Sequence, residues 1–520
     1  MQAQHSSALV IPGKYRLGHA SLPTELLSEV ICCLSPRHQK CLLGVSRLFR
    51  DLVLPQIFQF ITIFMLLGPH STDDLLEFPN GSGLGDRSEA IHQKLMQRSW
   101  EVLDRICDDR EFASSVKEMQ LVVYTRECTC YDPEGCQSGC RSDPYQPIFE
   151  ILLLRKAIGR LTNLRTFHLR GNIDRMTSVR KIDKLLPSGI HYLDYPSTEK
   201  IVNPKRFTCL TRLEYRRHFL SLEISDDDPD NRGPHEDRLH DFSLDIYPLL
   251  SSLFIDYRRI QTIPSSLAHN LATLGIVGSQ ESIEHINLRL VAQQFPHLKE
   301  LTLLGAFRST LCADFNENSK TLPALTSLRI SQESPRAFGN YDELDFTADD
   351  GEGIYRFLEC HSQLTRLFLR FQIENWETLE ILLDAISLLP RLEVLGIHTG
   401  EGFYLDKTQS RDLIDRIPMH LRALHLVSHW NTHGEVGYLV EKLSKMPKLR
   451  FFHAYWIKLD LQVLAERLGY VEQVGVDHRI CDIDRTSSGV KLVRWPLWKC
   501  RFPLESDFED LDYAWLLKHY

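Results

Sequence analysis

Four cysteines, Cys128, Cys130, Cys136 and Cys140, fall within the run CTCYDPEGCQSGC at the spacing C-x-C-x5-C-x3-C. Four thiolates on a Gly- and Pro-containing loop have the chemistry to meet one tetrahedral zinc, and the metal would lend folding energy to a loop otherwise poorly anchored. The spacing is not a paired C-x2-C. Disulfides and a plain insertion with free thiols therefore stay open beside the zinc reading.

A second chemically capable set is spread through the C-terminal half: Arg329, Arg366, Phe368, Arg370, His398, His425, His453 and Tyr455. Each lies between apolar anchors of a recurring L-x-x-L-x-φ pattern, where φ is apolar. Side chains alternate across a strand, so these residues should share its inner face. Neighbouring strands lie about 4.8 Å apart, which places His425 beside His453. The face reads basic and aromatic, with arginine forks suited to an acidic or phosphorylated segment. The competing reading is a solvated face whose charges are answered by the acidic insertion before Ile354. Earlier copies contribute a mixed set: Glu214, Arg216, Phe254, Asp256 and Thr302.

Catalytic chemistry is not legible. The chain has no G-x-S-x-G, H-E-x-x-H or P-loop pattern. GSGLGDRS at 81–88 reads as a flexible loop before a helix. With 22 histidines, chance pairs such as His478 with Asp482 carry no weight.

These residues must be positioned by repeats. The pattern reads LRTFHL from Leu164, LTRLEY from Leu210, LSSLFI from Leu250, LATLGI from Leu271 and LKELTL from Leu298. It continues as LTSLRI from Leu325, LTRLFL from Leu364, LEVLGI from Leu392, LRALHL from Leu421 and LRFFHA from Leu449. Most spacings fall in the leucine-rich-repeat range of roughly 20–29 residues. Wider gaps hold a degenerate copy, IHYLDY from Ile190, and two acidic insertions. FQFITIF near Phe60 and MQLVVY near Met119 fit opening strands, and VEQVGV from Val471 a closing one. Segments 88–107 and 377–390 have helical periodicity. The expected fold class is α/β: a leucine-rich-repeat solenoid, a horseshoe of parallel strands with helical returns.

In front of the repeats stands SLPTELLSEVICCLSPRHQKCLLGVSRLFRDLVLPQIFQFITI, Ser21 to Ile63. Leu26, Leu27, Val30, Ile31 and Leu34 recur at helical spacing after Pro23, and Ser35-Pro36 ends that helix. A second helix fits Arg37 to Leu43. Ser46 caps a third, which Leu54-Pro55 closes. About forty residues this apolar cannot bury everything alone. Some must meet a partner or seal the end of the solenoid.

The ordered set Leu22-Pro23-x-Glu25-Leu26-Leu27, Val30-Ile31, Leu34, Leu42, Val45-Ser46-Arg47-x-Phe49-Arg50 and Leu54-Pro55-x-Ile57-Phe58 resembles an F-box. With the repeats behind it, the chain is similar to F-box/leucine-rich-repeat proteins of the kind common in fungi. Gln39-Lys40-Cys41 departs from the family pattern, which is more acidic or apolar there. The resemblance implies a small three-helix F-box docking on a Skp-family adaptor within an SCF-type cullin–RING ubiquitin ligase, with the repeats recruiting a protein substrate. It implies no active site of the chain's own. The adaptor contacts it implies are Leu22, Pro23, Leu26, Val30, Leu34, Leu42, Leu48, Phe49 and Pro55. The alternative is a non-ligase scaffold whose F-box-like helices cap the solenoid.

Bulk properties narrow the classes. A formal net charge of −9 weighs against a nucleic-acid partner. The strongest apolar run, Ile57 to Gly68, is too short to span a bilayer, and no secretory signal is visible. The expectation is a cytoplasmic or nuclear chain with most of its 13 cysteines as buried thiols. No cofactor is expected beyond the possible zinc. The expected domains are a flexible N-terminus over 1–20, the F-box over 21–60, and a linker strand and helix forming a first repeat over 61–115. The solenoid follows over 116–480, with insertions near 128–145, 225–240 and 331–353. A cap over 481–520 carries Trp495, Trp498 and Trp515.

Overall fold

The computed structural model describes residues 23–32, 34, 36–67, 85–125, 148–171, 182–196, 204–216, 244, 247–277, 287–305, 310–332, 346–371, 373, 375–400, 403–430, 435–477, 479–487 and 489–495. Cys128, Cys130, Cys136 and Cys140, the acidic insertion at 225–240, most of that at 331–353 and the last 25 residues lie outside the described residues. The chain divides into two compact units, residues 1–60 and 61–520.

The first unit holds three helices: α1 (Thr24–Cys32), α2 (Pro36–Leu42) and α3 (Arg47–Ile57). Ile31 and Val53 form its buried centre. The Phe49 N–H donates to Ser46 Oγ at 3.3 Å, which caps α3. Pro55 was expected to close the unit. It lies instead inside α3, which runs on to Ile57, where the Phe58 N–H donates to the Leu54 carbonyl at 3.1 Å. A proline in the final turn removes one backbone donor but leaves that later bond intact.

The second unit is built on one sixteen-stranded sheet whose strands neighbour one another in chain order. It opens with β1 (Phe60–Leu67), β2 (Glu118–Thr125), β3 (Thr166–Gly171), β4 (Tyr192–Pro196) and β5 (Arg212–Arg216). It continues through β6 (Ser252–Asp256), β7 (Thr273–Val277), β8 (Glu300–Gly305), β9 (Ser327–Gln332), β10 (Arg366–Arg370) and β11 (Val394–His398). A short β12 (Tyr404–Leu405) leaves the main sheet and pairs with β14 (His429–Trp430). The main sheet resumes with β13 (Ala423–Val427), β15 (Phe451–Tyr455) and β16 (Gln473–Val476). It ends in an antiparallel pair, β17 (Arg479–Thr486) and β18 (Gly489–Arg494), which begins two residues before the segment expected to form the cap. Strands β2 to β16 are parallel.

The repeat leucines explain this architecture. Leu210, Leu250, Leu271, Leu298, Leu325, Leu364, Leu392, Leu421 and Leu449, the first anchor of each copy, are all fully buried. Alanine at any one would cost about 2–5 kcal/mol. One residue later the backbone makes a relay along the sheet's entry edge. The Thr326 N–H donates to the Lys299 carbonyl at 2.8 Å, Thr365 to Thr326 at 2.9 Å, and Glu393 to Thr365 at 2.8 Å. Each of these carbonyls accepts a second bond from the next residue, so no repeat can shift without breaking its neighbour's register. IHYLDY, the degenerate copy, supplies β4 and joins the relay through the Thr211 N–H and the His191 carbonyl.

Helical returns cross between strands. They include α4 (Gly85–Asp108), α5 (Ala348–Glu359), α6 (Trp376–Ser387) and α7 (Lys407–Arg416). Thr347 with Asp350 and Asp406 with Gln409 form capping boxes that start α5 and α7. Parallel strands in chain order, leucine anchors turned inward and a helical return per repeat define a leucine-rich-repeat solenoid.

Candidate functional site

The face of the sheet opposite the leucine anchors carries the candidate site. Its central row runs Gln120, His168, Asp194, Glu214, Phe254, Gly275, Thr302, Arg329, Phe368, Gly396, His425, His453, Gly475 in register from β2 to β16. Its two halves differ in chemistry.

In the N-terminal half, charges pair with one another. His168 lies between two carboxylates, with Nε2 at 3.2 Å from Glu118 Oε1 and Nδ1 at 3.4 Å from Asp194 Oδ2. Glu214 is fully buried and its Oε1 accepts from the Tyr192 hydroxyl at 2.5 Å and from Arg212 Nε at 2.9 Å. The Arg212 guanidinium lies 4.4 Å from the centre of the Tyr192 ring. Burial, then the Glu214 charge, pushes the Tyr192 hydroxyl well above its ordinary value.

In the C-terminal half, one stack spans the sheet. The Arg329 guanidinium sits 5.2 Å from the Phe368 ring centre, the Phe368 and His425 centroids are 6.2 Å apart, and those of His425 and His453 are 4.8 Å apart. Glycine makes the stack possible. A Cβ on Gly396 would come within 2.2 Å of the Phe368 ring, and one on Gly475 within 2.4 Å of His453. Gly275 is roofed in the same way by Phe254, at 2.0 Å. Each missing side chain leaves a slot for the ring on the preceding strand.

The histidine network fixes its own tautomers. His453 Nε2 faces the Asp477 carbonyl at 2.7 Å, and a carbonyl only accepts, so Nε2 carries the proton. His453 Nδ1 shares a hydrogen bond with His425 Nδ1, 2.8 Å away. Burial, then His453, His398, Arg329 and Arg370, holds the His425 imidazole well below its ordinary value. His398 is likewise depressed, by burial first and then by Arg370. Its Nδ1 accepts from the Gly400 N–H at 3.1 Å, so Nε2 bears the proton.

The repeat pattern places these residues on one face as a recognition surface. In the structure most of them are buried. Arg329 and Arg370 are only 4% and 7% exposed, and Phe368, His398, His425, His453 and Tyr455 are buried. The Phe368 and His453 rings lie over Gly396 and Gly475 on the following strands. Arg366 alone among the eight is half-buried, 3.7 Å from Glu300. The set also belongs to separate rows: His398, Val427 and Tyr455 continue the Arg370 row, one pleat away from His425 and His453.

Sequence reasoning missed an aromatic cluster at the strand ends. The Trp456 ring stacks on His429 at 3.9 Å and meets His398 edge-on at 5.6 Å, and His429 lies 4.8 Å from Tyr404. Trp456 adopts φ +63°, the left-handed region a bulky side chain rarely enters. Its N–H donates to Asp477 Oδ1 at 3.0 Å. The signal in the sequence was faint: His398, His429 and Trp456 lie one, three and two residues beyond the motif in successive copies, and Tyr404 seven.

The second candidate surface is on the three-helix unit. Leu26, Val30, Val45 and Leu48 are 47%, 56%, 61% and 46% exposed. Pro23 and Pro55 are exposed, and Leu34, Leu42 and Phe49 half-buried; Leu22 lies outside the described residues. Polar staples hold the frame. Gln39 Nε2 donates to the Ile31 carbonyl at 2.9 Å, and Gln56 Nε2 to the Ser28 carbonyl and hydroxyl, each at 3.1 Å. Gln39, a departure from the F-box pattern, is thus buried and ties α2 to α1.

Among the described residues no group of three or more His, Cys, Asp or Glu could hold a metal ion, and no helix is long and apolar enough to cross a membrane. No family model and no curated protein matches the chain. Among solved structures it is similar to an internalin (inlF) from Listeria monocytogenes str. 4b F2365, at 14% identity over 73% of this chain and 94% of that one, with a TM-score of 0.26. It is also similar to the leucine-rich repeat-containing protein LegL7 from Legionella pneumophila, at 13% identity over 52% of this chain and 89% of that one, with a TM-score of 0.26. Scores that low carry no argument, and the repeat fold rests on the strand register and anchor burial above.

Proposed function

We propose that this protein is the substrate-recognition subunit of an SCF-type cullin–RING ubiquitin ligase. In this reading the three-helix unit is an F-box that docks on a Skp-family adaptor, which links it to the cullin scaffold, and the repeats hold a protein substrate. The observation that carries it is the outward placement of Leu26, Val30, Val45 and Leu48 on a unit whose buried apolar residues, among those described, are Ile31 and Val53. Large apolar side chains at that exposure are the raw material of an interface core. In this reading the substrate is an acidic or phosphorylated segment, with half-buried Arg366 at the edge of the inner face as the guanidinium that meets it.

The test is co-purification with a Skp-family adaptor. Leu26→Asp with Leu48→Asp spares Ile31, Val53 and the polar staples. It should weaken adaptor binding at least a hundredfold while the helical signal stays unchanged. Undiminished binding by that variant would sink the F-box reading and leave a repeat scaffold. Arg366→Glu should weaken capture of an acidic substrate at least tenfold, and unchanged capture would remove the repeats' part of the proposal.

A further inference from the structure

The main sheet has two edges, and they end differently. At the N-terminal edge α4 covers β1. The Phe64 N–H donates to Ser99 Oγ at 2.9 Å and the Leu66 N–H to Met96 Sδ at 3.3 Å, so alternate amides of this edge strand are answered by side chains of one helix. An unpaired edge is a template for a further strand, and a covering helix is one way a fold closes it.

At the C-terminal edge β18 is the last strand. Its register settles which backbone groups face outward. The Trp495 N–H donates to the Ile480 carbonyl at 2.8 Å, a bond that flanks the pair Cys481 with Arg494 and makes it a non-hydrogen-bonded pair. Pairs alternate along an antiparallel ladder. Val493 and Lys491 therefore bond to Asp482 and Asp484, whereas the N–H and C=O groups of Val490, Leu492 and Arg494 point away from β17. Among the described residues only Gln462 Nε2, on the helix Leu461–Arg467, reaches this row, at 3.5 Å from the Val490 carbonyl. The strand carries two exposed cations, Lys491 and Arg494, and no acid, and Val490, Leu492 and Val493 are half-buried.

We propose that β18 accepts an acidic, extended segment of a partner protein as the next strand of the sheet. The outward backbone groups of Val490, Leu492 and Arg494 supply the ladder bonds, and Lys491 and Arg494 select for carboxylates opposite and diagonal to them. The added strand also covers the half-buried Val490, Leu492 and Val493. Charge decides between occupants. A second copy of this chain would bring two lysines and two arginines to one ladder with no carboxylate among them, which argues against self-pairing. An acidic strand answers both cations. The inference goes beyond the ligase reading and stands without the adaptor.

The test uses the full chain and two labelled synthetic strand peptides, the acidic EVTVEVTVE and its basic counterpart KVTVKVTVK, followed by fluorescence anisotropy. The acidic peptide should bind saturably and the basic one at least tenfold more weakly. Leu492→Pro removes one outward N–H and none of the bonds between β17 and β18, and should weaken the acidic peptide about tenfold. Lys491→Glu with Arg494→Glu should reverse the preference, so that the basic peptide binds the more tightly. This gain of binding cannot arise from a failure to fold. No saturable binding of the acidic peptide, equal affinity of the two peptides, unchanged affinity in Leu492→Pro or an unreversed preference would overturn the proposal. So would a dimer in sedimentation that Leu492→Pro dissolves, which would make a second copy the occupant. Adaptor binding should be the same in every β18 variant, so failure here leaves the F-box reading untouched.

Discussion

The two halves of the central row solve one problem in opposite ways. Over β3 to β5, polar groups are buried by pairing them: Glu214 with Arg212 and Tyr192, Asp194 and Glu118 with His168. Over β9 to β16, positive charge and neutral imidazoles are buried by stacking them flat, with Gly396 and Gly475 making room. The first half is closed, because its acids are already answered by side chains on the same and neighbouring strands. The second packs a guanidinium and rings face to face along the row. The difference shows that inner-face position alone does not fix how a residue is buried; what the neighbouring strands offer it does.

Breaking the paired half should have the largest effect. Glu214→Ala removes the buried carboxylate shared by partly exposed Arg212 and the Tyr192 hydroxyl and should lower unfolding free energy by about 3 kcal/mol in urea titration. A loss below about 1 kcal/mol would show that Glu214 is not a buried partner. Breaking the stacked half comes next. Gly396→Ala drives a methyl into the Phe368 ring and should cost about 1–3 kcal/mol. Phe368→Ala in the same chain should recover part of that loss, since the two side chains compete for one volume. Additive losses would separate the glycine from the ring.

Acidification should divide the halves more gently. His398 and His425 have native pKa values pushed below the ordinary one, so below about pH 6.5 the unfolded chain binds more protons than the folded one. Stability should be flat above that pH. It should fall as pH drops through it, by up to about 1.4 kcal/mol per pH unit for each histidine, until their native pKa values are reached. His425→Phe should flatten the slope, and an unchanged slope would place the titration elsewhere. The smallest effect belongs to the edge of the inner face. Arg366→Ala removes a partly exposed pair with Glu300 at 3.7 Å and should change stability by less than about 0.5 kcal/mol.

Much of the fold was legible because its signal is periodic. Leu325, Leu364, Leu392 and Leu421 announce their repeats, and even Ile190 marks β4. The helix capped by Ser46 and the helix over 377–390 follow from local caps and spacing. The site was legible only in part. Alternation placed Arg329, Phe368, His425 and His453 on one face, but burial depends on the neighbouring strand, which residue type alone does not reveal. Gly275, Gly396 and Gly475 were in plain view within LATLGI, LEVLGI and VEQVGV. Their meaning emerges only when Phe254, Phe368 and His453 are seen to precede them in register. The polar staple of Gln39 was masked for a similar reason: it joins two helices through a backbone carbonyl that no sequence pattern marks.

By itself, then, the sequence determined the repeat, its inward leucines and the three amphipathic helices, because each is a local pattern that costs stability wherever it is broken. The tertiary structure decided which inner-face groups pair and which stack. Those outcomes depend on register between strands that lie 20 to 40 residues apart in sequence but, as sheet neighbours, only about 4.8 Å apart in space.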